Sequence, residues 1–331
     1  MVLDVCVIGA GRMGELHANS VAAHPGARLV TIADPDVDRA AANAASLGAE
    51  ATSDVHAAIT SDAIDAVIIA SPTDFHVQHI ELAANAGKTI FSEKPVGLHL
   101  DEVERCIETI DRLGVSLQIG FHRRFDPSFR AVKSAIEAGR VGDVLQVILT
   151  SRDPEPPPAL YITGSGGMFR DMGIHDFDVA RWLLGEEPIE VMAYGSNLID
   201  PALGDAGDID TAMVILRTER GSLCHINLSR TAKYGYDQRI EVLGTEGMAQ
   251  ASNRTPASTE VSTSAGIEAS LPHYWFPERY TEAYTLEIAA FIDAASQGVA
   301  PGIGGADGLR AQRLANAATE SVQTGKPVRV G

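Results

Sequence analysis

In the first third of the chain, apolar residues come in short continuous runs separated by stretches of helical spacing. The runs are residues 2–8, broken only by Asp4, then 66–70 and 89–92, and further strands are read over 28–33 and 115–120. Continuous runs of this length fit strands buried on both faces. Between them, Val77, Ile80 and Ala84 form one stripe that Gly87 stops. Val103, Cys106, Ile107, Ile110 and Leu113 form another, with Asp101 and Glu102 in its first turn and Gly114 after its end. Acidic residues favour a helix start, and glycine permits the left-handed stop. Strands alternating with helices predict a parallel, doubly wound sheet, so the fold class is α/β.

Past residue 121 the pattern changes. A helix is expected from Pro127 to Gly139, then a strand over 144–150. Alternating apolar and polar positions predict further strands over 189–194, 211–216, 222–229 and 238–243, which points to a largely antiparallel sheet with one covered face. Four prolines in Pro154-Glu155-Pro156-Pro157-Pro158 make a stiff extended loop. Residues 168–184 read as a single helix; at about 3.6 residues per turn it places Asp171, His175 and Asp178 on one face. A carboxylate one turn from a histidine can fix its tautomer, whereas Asp178 reads as structural. The Ser/Thr-rich stretch 251–264 is expected to be a loop, and helices are expected over 279–296 and 308–324. The domains are therefore drawn at 1–121 and 122–331.

A length of 331 residues suits two domains rather than one. The net charge of −18 argues against a nucleic-acid partner. No apolar run approaches the ~20 residues that span a bilayer, and the chain enters a strand pattern with no basic leader, so no export signal is expected. Cys6, Cys106 and Cys224 form no paired motif. They read as small buried residues of a reduced, cytoplasmic protein. No histidine and cysteine cluster has zinc spacing, so no metal is expected.

The chemistry begins at the end of the first run, where Gly9-Ala10-Gly11-Arg12-Met13-Gly14 joins a strand to a helix. Glycines there allow a tight turn and let backbone approach a pyrophosphate at the helix N-terminus. Asp34 ends the second strand 20 residues after Gly14, the spacing at which a carboxylate meets a ribose diol. It would repel a 2′-phosphate, so NAD is favoured over NADP, although Arg39 lies nearby. Ser71-Pro72 stops the third strand, with Thr73 or Asp74 able to cap the next helix. Glu93-Lys94-Pro95 stops the fourth, placing a lysine where ligands of open α/β sheets bind. The arginines of Phe121-His122-Arg123-Arg124-Phe125-Asp126-Pro127 either bind phosphate or brace a domain junction. Tyr234 and Tyr236 either offer hydroxyls to a polar ligand or pack. His17, His56 and His79 read as surface or helix residues without a role, and His225 as structural.

Taken in order, these motifs resemble the family of glucose–fructose oxidoreductase and inositol dehydrogenase over essentially the whole chain. The resemblance rests on Gly9-x-Gly11-x-x-Gly14, Ser71-Pro72-Thr73 with His76, Ala86-Gly87-Lys88 before Glu93-Lys94-Pro95, residues 120–127, and Asp171-x-x-x-His175. Ser151-Arg152-Asp153-Pro154 and residues 166–178 are similar to the inositol dehydrogenases within that family. The resemblance implies a Rossmann domain binding NAD and a second α+β domain with an open-faced sheet, which binds substrate and assembles a homotetramer. It implies a catalytic trio of Lys94, Asp171 and His175. It further implies cofactor contacts from Gly9, Gly11, Arg12, Met13, Gly14, Asp34, Ser71, Thr73, His76, Glu93 and Lys94, and substrate contacts from Lys94, His122, Asp153, Asp171, His175, Tyr234 and Tyr236. His122 stands where many relatives carry asparagine or methionine. The implied reaction is NAD-dependent oxidation of a cyclic polyol, myo-inositol to its 2-keto product. Scyllo-inositol or a pyranose sugar is the alternative substrate, and a non-enzymic dinucleotide-binding regulator the alternative class.

Overall fold

A computed structural model describes residues 2–330. The chain forms two compact units that are discontinuous in sequence: 1–125 with 282–312, and 126–281 with 313–331.

The first unit is a six-stranded parallel sheet. Its elements in order are β1 (Leu3–Ile8), α1 (Arg12–Ala23), β2 (Ala27–Ala33), α2 (Val37–Ala45), β3 (Glu50–Thr52), α3 (Val55–Thr60), β4 (Ala66–Ile69), α4 (His76–Asn85), β5 (Thr89–Ser92), α5 (Leu100–Leu113) and β6 (Leu117–Ile119). The strands lie in the order β3-β2-β1-β4-β5-β6. β1 thus pairs with both β2 and β4, and the strand order reverses between β1 and β4. Local chemistry sets the boundaries. Asp36 and Asp54 cap α2 and α3 by accepting the N–H groups of Arg39 and Ala57, and Gly114 ends α5 at φ +66°. The pattern missed the short β3 and α3, which offer too few apolar positions to show a period. On one face of the sheet, Val5, Val7, Ile32, Ile68 and Phe91 pack with Ile288, Phe291 and Ile292 from the later part of the chain. Each such side chain contributes about 1.5–3 kcal/mol by leaving water.

The second unit contains α6 (Pro127–Glu137), β7 (Val144–Arg152), α7 (Ala159–Ser165), α8 (Gly167–Asp171), α9 (Ile174–Leu184), β8 (Pro188–Ser196), α10 (Pro201–Asp205), β9 (Thr211–Thr218), β10 (Leu223–Ser229), β11 (Asp237–Gly244), β12 (Met248–Ala251), β13 (Glu260–Thr263) and β14 (Gly266–Ala269). The chain ends with α11 (Phe276–Gln297), α12 (Gly305–Thr324) and β15 (Val328–Arg329). Both terminal helices change unit along their length, α11 just after a non-helical residue, Tyr280. The seven-stranded sheet has the order β12-β11-β7-β10-β9-β8-β15. Its pairs are antiparallel except one: β7 and β10 run parallel.

Strand β9 alternates strictly. Ala212, Val214 and Leu216 are buried while Met213 and Ile215 are exposed. The registers place Tyr194 and Asn227 beside Met213, and His225 and Ile148 in line with Ile215, so one face of the sheet is open and partly apolar.

Two expectations are corrected here. Residues 168–184 are not one helix. They break between Asp171 and Ile174, where a Cβ on Gly173 would meet Leu228 at 3.1 Å and the Phe169 backbone at 3.3 Å. Asp171 and His175 therefore belong to successive helices, α8 and α9, joined by Met172 and Gly173. The stretch 251–264 is also not wholly loop, because Glu260–Thr263 pairs with Gly266–Ala269 as a hairpin. All eight of its strand residues are exposed, so it has no apolar alternation by which to be read.

Candidate active site

In the first unit every strand delivers its carboxyl end to the same edge. Gly9 turns out of β1 at φ +96°, and a Cβ there would lie 2.5 Å from the carbonyl of Ala70, just beyond β4. Glycine is thus what lets the two loops meet at the reversal point. A Cβ on Gly14 would fall 1.8 Å from the Gly9 carbonyl, so the start of α1 sits directly on the loop. A Cβ on Gly11 would meet nothing within 4 Å, and no side chain caps α1 at this residue. The helix thus offers uncapped N–H groups beside open space, a cradle suited to a pyrophosphate. Arg12 is exposed at the helix start, and Met13 follows it.

Asp34 is buried and heavily engaged. Its carboxylate accepts the Ala10 N–H at 2.7 Å, the Asp36 N–H at 2.9 Å and the Arg39 guanidinium at 2.7 Å. Burial pushes the carboxyl up, but the Arg39 bond and the backbone donors outweigh it and hold the group below the usual aspartate range. Asp34 is therefore an anion fixed to the glycine loop, and half-exposed Arg39 covers one of its oxygens. Loop, helix start and carboxylate together fit an adenine dinucleotide.

At the end of β5, Glu93 is buried and meets His17 Nε2 at 2.7 Å through Oε1, while Oε2 accepts the Lys94 backbone N–H at 3.2 Å. Burial raises the Glu93 carboxyl, yet His17 and the Lys94 charge hold it below the usual range. His17 is fully buried on α1, with Phe91 and Tyr284 against its ring. The expectation that it has no role is corrected: it ties the glycine-loop helix to the lysine strand. The Lys94–Pro95 peptide is cis.

His76 lies between two loops, with Nδ1 2.7 Å from the Pro95 carbonyl and Nε2 2.8 Å from that of Ser71. Burial pulls its pKa down, opposed by those carbonyls. Ser71 Oγ meets His79 Nδ1 at 3.1 Å, and Thr73 opens a 3-10 turn beside it. Burial pulls His79 down to about 4. His122 follows β6, buried with its ring stacked 4.4 Å from Tyr284. Arg124 is held by Asp307 at 2.9 Å.

The second unit collects its candidates at one end of the mixed sheet. Because β7 and β10 are parallel, Arg152-Asp153 and Ser229-Arg230 leave it side by side. β11 begins at this same end, with Asp237 opposite Arg152. Arg230 is buried; its Nη1 donates to Asp153 at 3.2 Å and its Nη2 to Asp171 at 3.1 Å. Asp171 also accepts the Tyr161 hydroxyl at 3.1 Å. His175 lies buried in the first turn of α9. The Tyr234 hydroxyl accepts from Arg152 at 3.0 Å and donates to Asp237 at 2.6 Å. Tyr236 instead sits buried among aromatics, its ring centroid 6.1 Å from those of Trp275 and Tyr280.

The structure thus joins Asp153 to Asp171 through Arg230 and places Tyr236 in packing. Sequence reasoning passed over Arg230 and His17. Nothing in a lone arginine after a strand, or a histidine inside a helix, marks a partner many residues away. Among the described residues, no group of three or more histidines, cysteines or acids is placed to hold a metal, and no helix is long and apolar enough to cross a membrane. Burial pushes the thiols of Cys6 and Cys106 up to about 12, away from nucleophilic use.

A parallel sheet with this glycine loop and carboxylate defines a dinucleotide-binding unit. Residues 3–121 match the model of an oxidoreductase family with an NAD-binding Rossmann fold, and residues 129–250 match the GFO/IDH/MocA C-terminal domain. The chain is 48% identical over 322 residues to the inositol 2-dehydrogenase of Rhizobium meliloti (strain 1021), covering 97% of each. It is similar to the crystal structure of a myo-inositol dehydrogenase from Corynebacterium glutamicum, with TM-score 0.96, 39% identity and coverage of 100% of this chain and 99% of that one. It is also similar to a scyllo-inositol dehydrogenase from Lactobacillus casei with bound NAD(H) and scyllo-inositol, with TM-score 0.93, 33% identity and coverage of 100% and 99%. The chain belongs to the GFO/IDH/MocA family and is an NAD-dependent oxidoreductase.

Proposed function

We propose that this enzyme oxidises a secondary alcohol of an inositol, myo-inositol at its 2-position, to the corresponding ketone. The reading is carried by the whole-length likeness, at 48% identity, to an inositol 2-dehydrogenase. It is supported by a second unit whose sheet end is lined with charged hydrogen-bonding groups. The dinucleotide, when bound, supplies the hydride acceptor.

The rest falls to this chain. His175 takes the hydroxyl proton as general base, since an imidazole titrates near working pH. Lys94 hydrogen-bonds the reacting oxygen and stabilises the charge that grows on it. Asp171 orients the hydroxyl or His175. His122, Asp153 and Tyr234 hold the remaining hydroxyls, and Tyr236 backs them by packing. Gly9, Gly11, Arg12, Met13 and Gly14 hold the pyrophosphate, and Asp34 holds the adenosine ribose. Ser71, Thr73, His76 and Glu93 shape the wall that presents Lys94.

Residues 1–121 act as the NAD-binding domain and 122–331 as the substrate and assembly domain. A homotetramer forms on the open sheet face around Met213 and Ile215. The enzyme works in the cytoplasm, in polyol catabolism, which suits its three buried, free thiols. Scyllo-inositol is the second reading, favoured by the complex just described.

The test is NADH formation with NAD and myo-inositol, scyllo-inositol or D-glucose, with NADP in parallel. The strongest signal is expected for myo-inositol with NAD. A preference for scyllo-inositol moves the substrate, and no turnover on any polyol rejects the proposal.

A further inference from the structure

We infer that Arg230 is a positioning residue for substrate hydroxyls, acting through the two carboxylates it holds. This rests on the polyol reading above and deepens it. Arg230 follows β10 directly, and its N–H is anchored to the Asp210 carbonyl at 2.8 Å. Asp153 follows β7, anchored by its own N–H to the Ser229 carbonyl at 3.0 Å. The backbone therefore fixes both residues before any side chain is placed.

The guanidinium then takes Asp153 on one terminal nitrogen and Asp171 on the other. Exposure distinguishes the partners. The arginine side chain keeps 3% of its surface, and each carboxylate keeps 13%. The two acceptors are the more exposed members of the cluster and the cation the most enclosed. A pair serving stability alone has no need of that order, since buried ion pairs stabilise little over apolar packing. Two carboxylates on one guanidinium are also close enough to repel. Without the cation, one would take a proton or swing to water.

A protonated carboxyl gives up acceptor capacity. A polyol presents neighbouring hydroxyls, each of which needs an acceptor at a fixed place. Arg230 keeps both carboxylates ionised and aimed, since a guanidinium stays charged and its planar fork spans two partners. Lysine supplies the charge without the fork.

The experiment is steady-state kinetics of the full-length enzyme and its R230Q and R230K variants, varying inositol and NAD separately. R230Q is expected to raise the KM for inositol by roughly 10–100-fold, the scale of one lost hydrogen bond to a charged group, with the KM for NAD within about twofold of wild type. R230K is expected to fall between the two. An R230Q variant with an unchanged inositol KM, or with both KM values raised together, overturns the inference. If R230Q does not fold, R230K decides it by the same comparison, and failure of both to fold assigns Arg230 to stability alone. A wild-type enzyme inactive on every polyol rejects the function, whereas an active wild type with a normal R230Q rejects only the role of Arg230.

Discussion

The two units build their strand-end clusters in different ways. In the first, backbone does most of the work: Gly9 and Gly14 admit close approach, Ala10 N–H meets Asp34, and His76 spans two carbonyls. In the second, side chains grip one another: Arg230 holds two aspartates, and Tyr234 sits between Arg152 and Asp237. Topology explains the contrast. A parallel sheet gathers every carboxyl end at one edge, so loops of fixed geometry suffice there. A mixed sheet brings strand starts and strand ends together, and charge must define what the backbone does not.

Lys94 is the strongest point at which to break that contrast, because it is the group of the first cluster expected to act on the reacting oxygen. Lys94→Ala is expected to lower kcat by roughly 10³-fold, the scale of a lost oxyanion or proton-handling group. NAD affinity, measured by fluorescence titration, should hold. Undiminished turnover would remove Lys94 from the mechanism.

A smaller effect is expected at Asp34. Asp34→Ser removes a charged acceptor worth about 1.5–3 kcal/mol and frees Arg39 for a phosphate. The NAD-to-NADP ratio of kcat/KM should fall by about 10-fold or more. An unmoved ratio would show that Asp34 serves only to hold the loop.

The least drastic change is in stability. Asp210 is buried and accepts the N–H groups of Leu198, Ile199 and Asp200. Burial pushes its carboxyl up, but those donors win and hold it below the usual 3.8. Its stabilisation is thus fully present above the unfolded pKa and is lost as pH falls from about 4 through the folded value. Asp210→Asn is expected to cost about 1–3 kcal/mol at neutral pH, in the range for a weakened charged acceptor. Its melting temperature should depend less on pH below 4 than that of wild type. Parallel acid profiles would deny Asp210 this role.

The same contrast decides what the sequence revealed. The Rossmann sheet, its glycine loop and Asp34 were legible because each rests on local spacing. β5 and the turn at Lys94-Pro95 were legible too, because proline ends a strand. The sheet of the second unit was legible only as an alternation of strands. The parallel pairing of β7 with β10 leaves no mark on either strand, and the division between α8 and α9 falls inside a stretch that reads as one helix. Arg230 and His17 take their meaning from partners that spacing does not connect.

The parallel β7–β10 pair also has a consequence for how such an enzyme diversifies. Two parallel neighbours cannot be joined by a tight turn, so the chain leaves the sheet after β7 and returns to it only at β8, through residues 153–187. That excursion carries Tyr161, Asp171 and His175, while the strands β7, β8, β9 and β10 stay in register. Lineages can rewrite the excursion, lengthening a helix or moving a hydroxyl donor, without disturbing a single rung of the ladder. New substrates are thus accessible by revising one detour, while the frame that carries it is inherited intact.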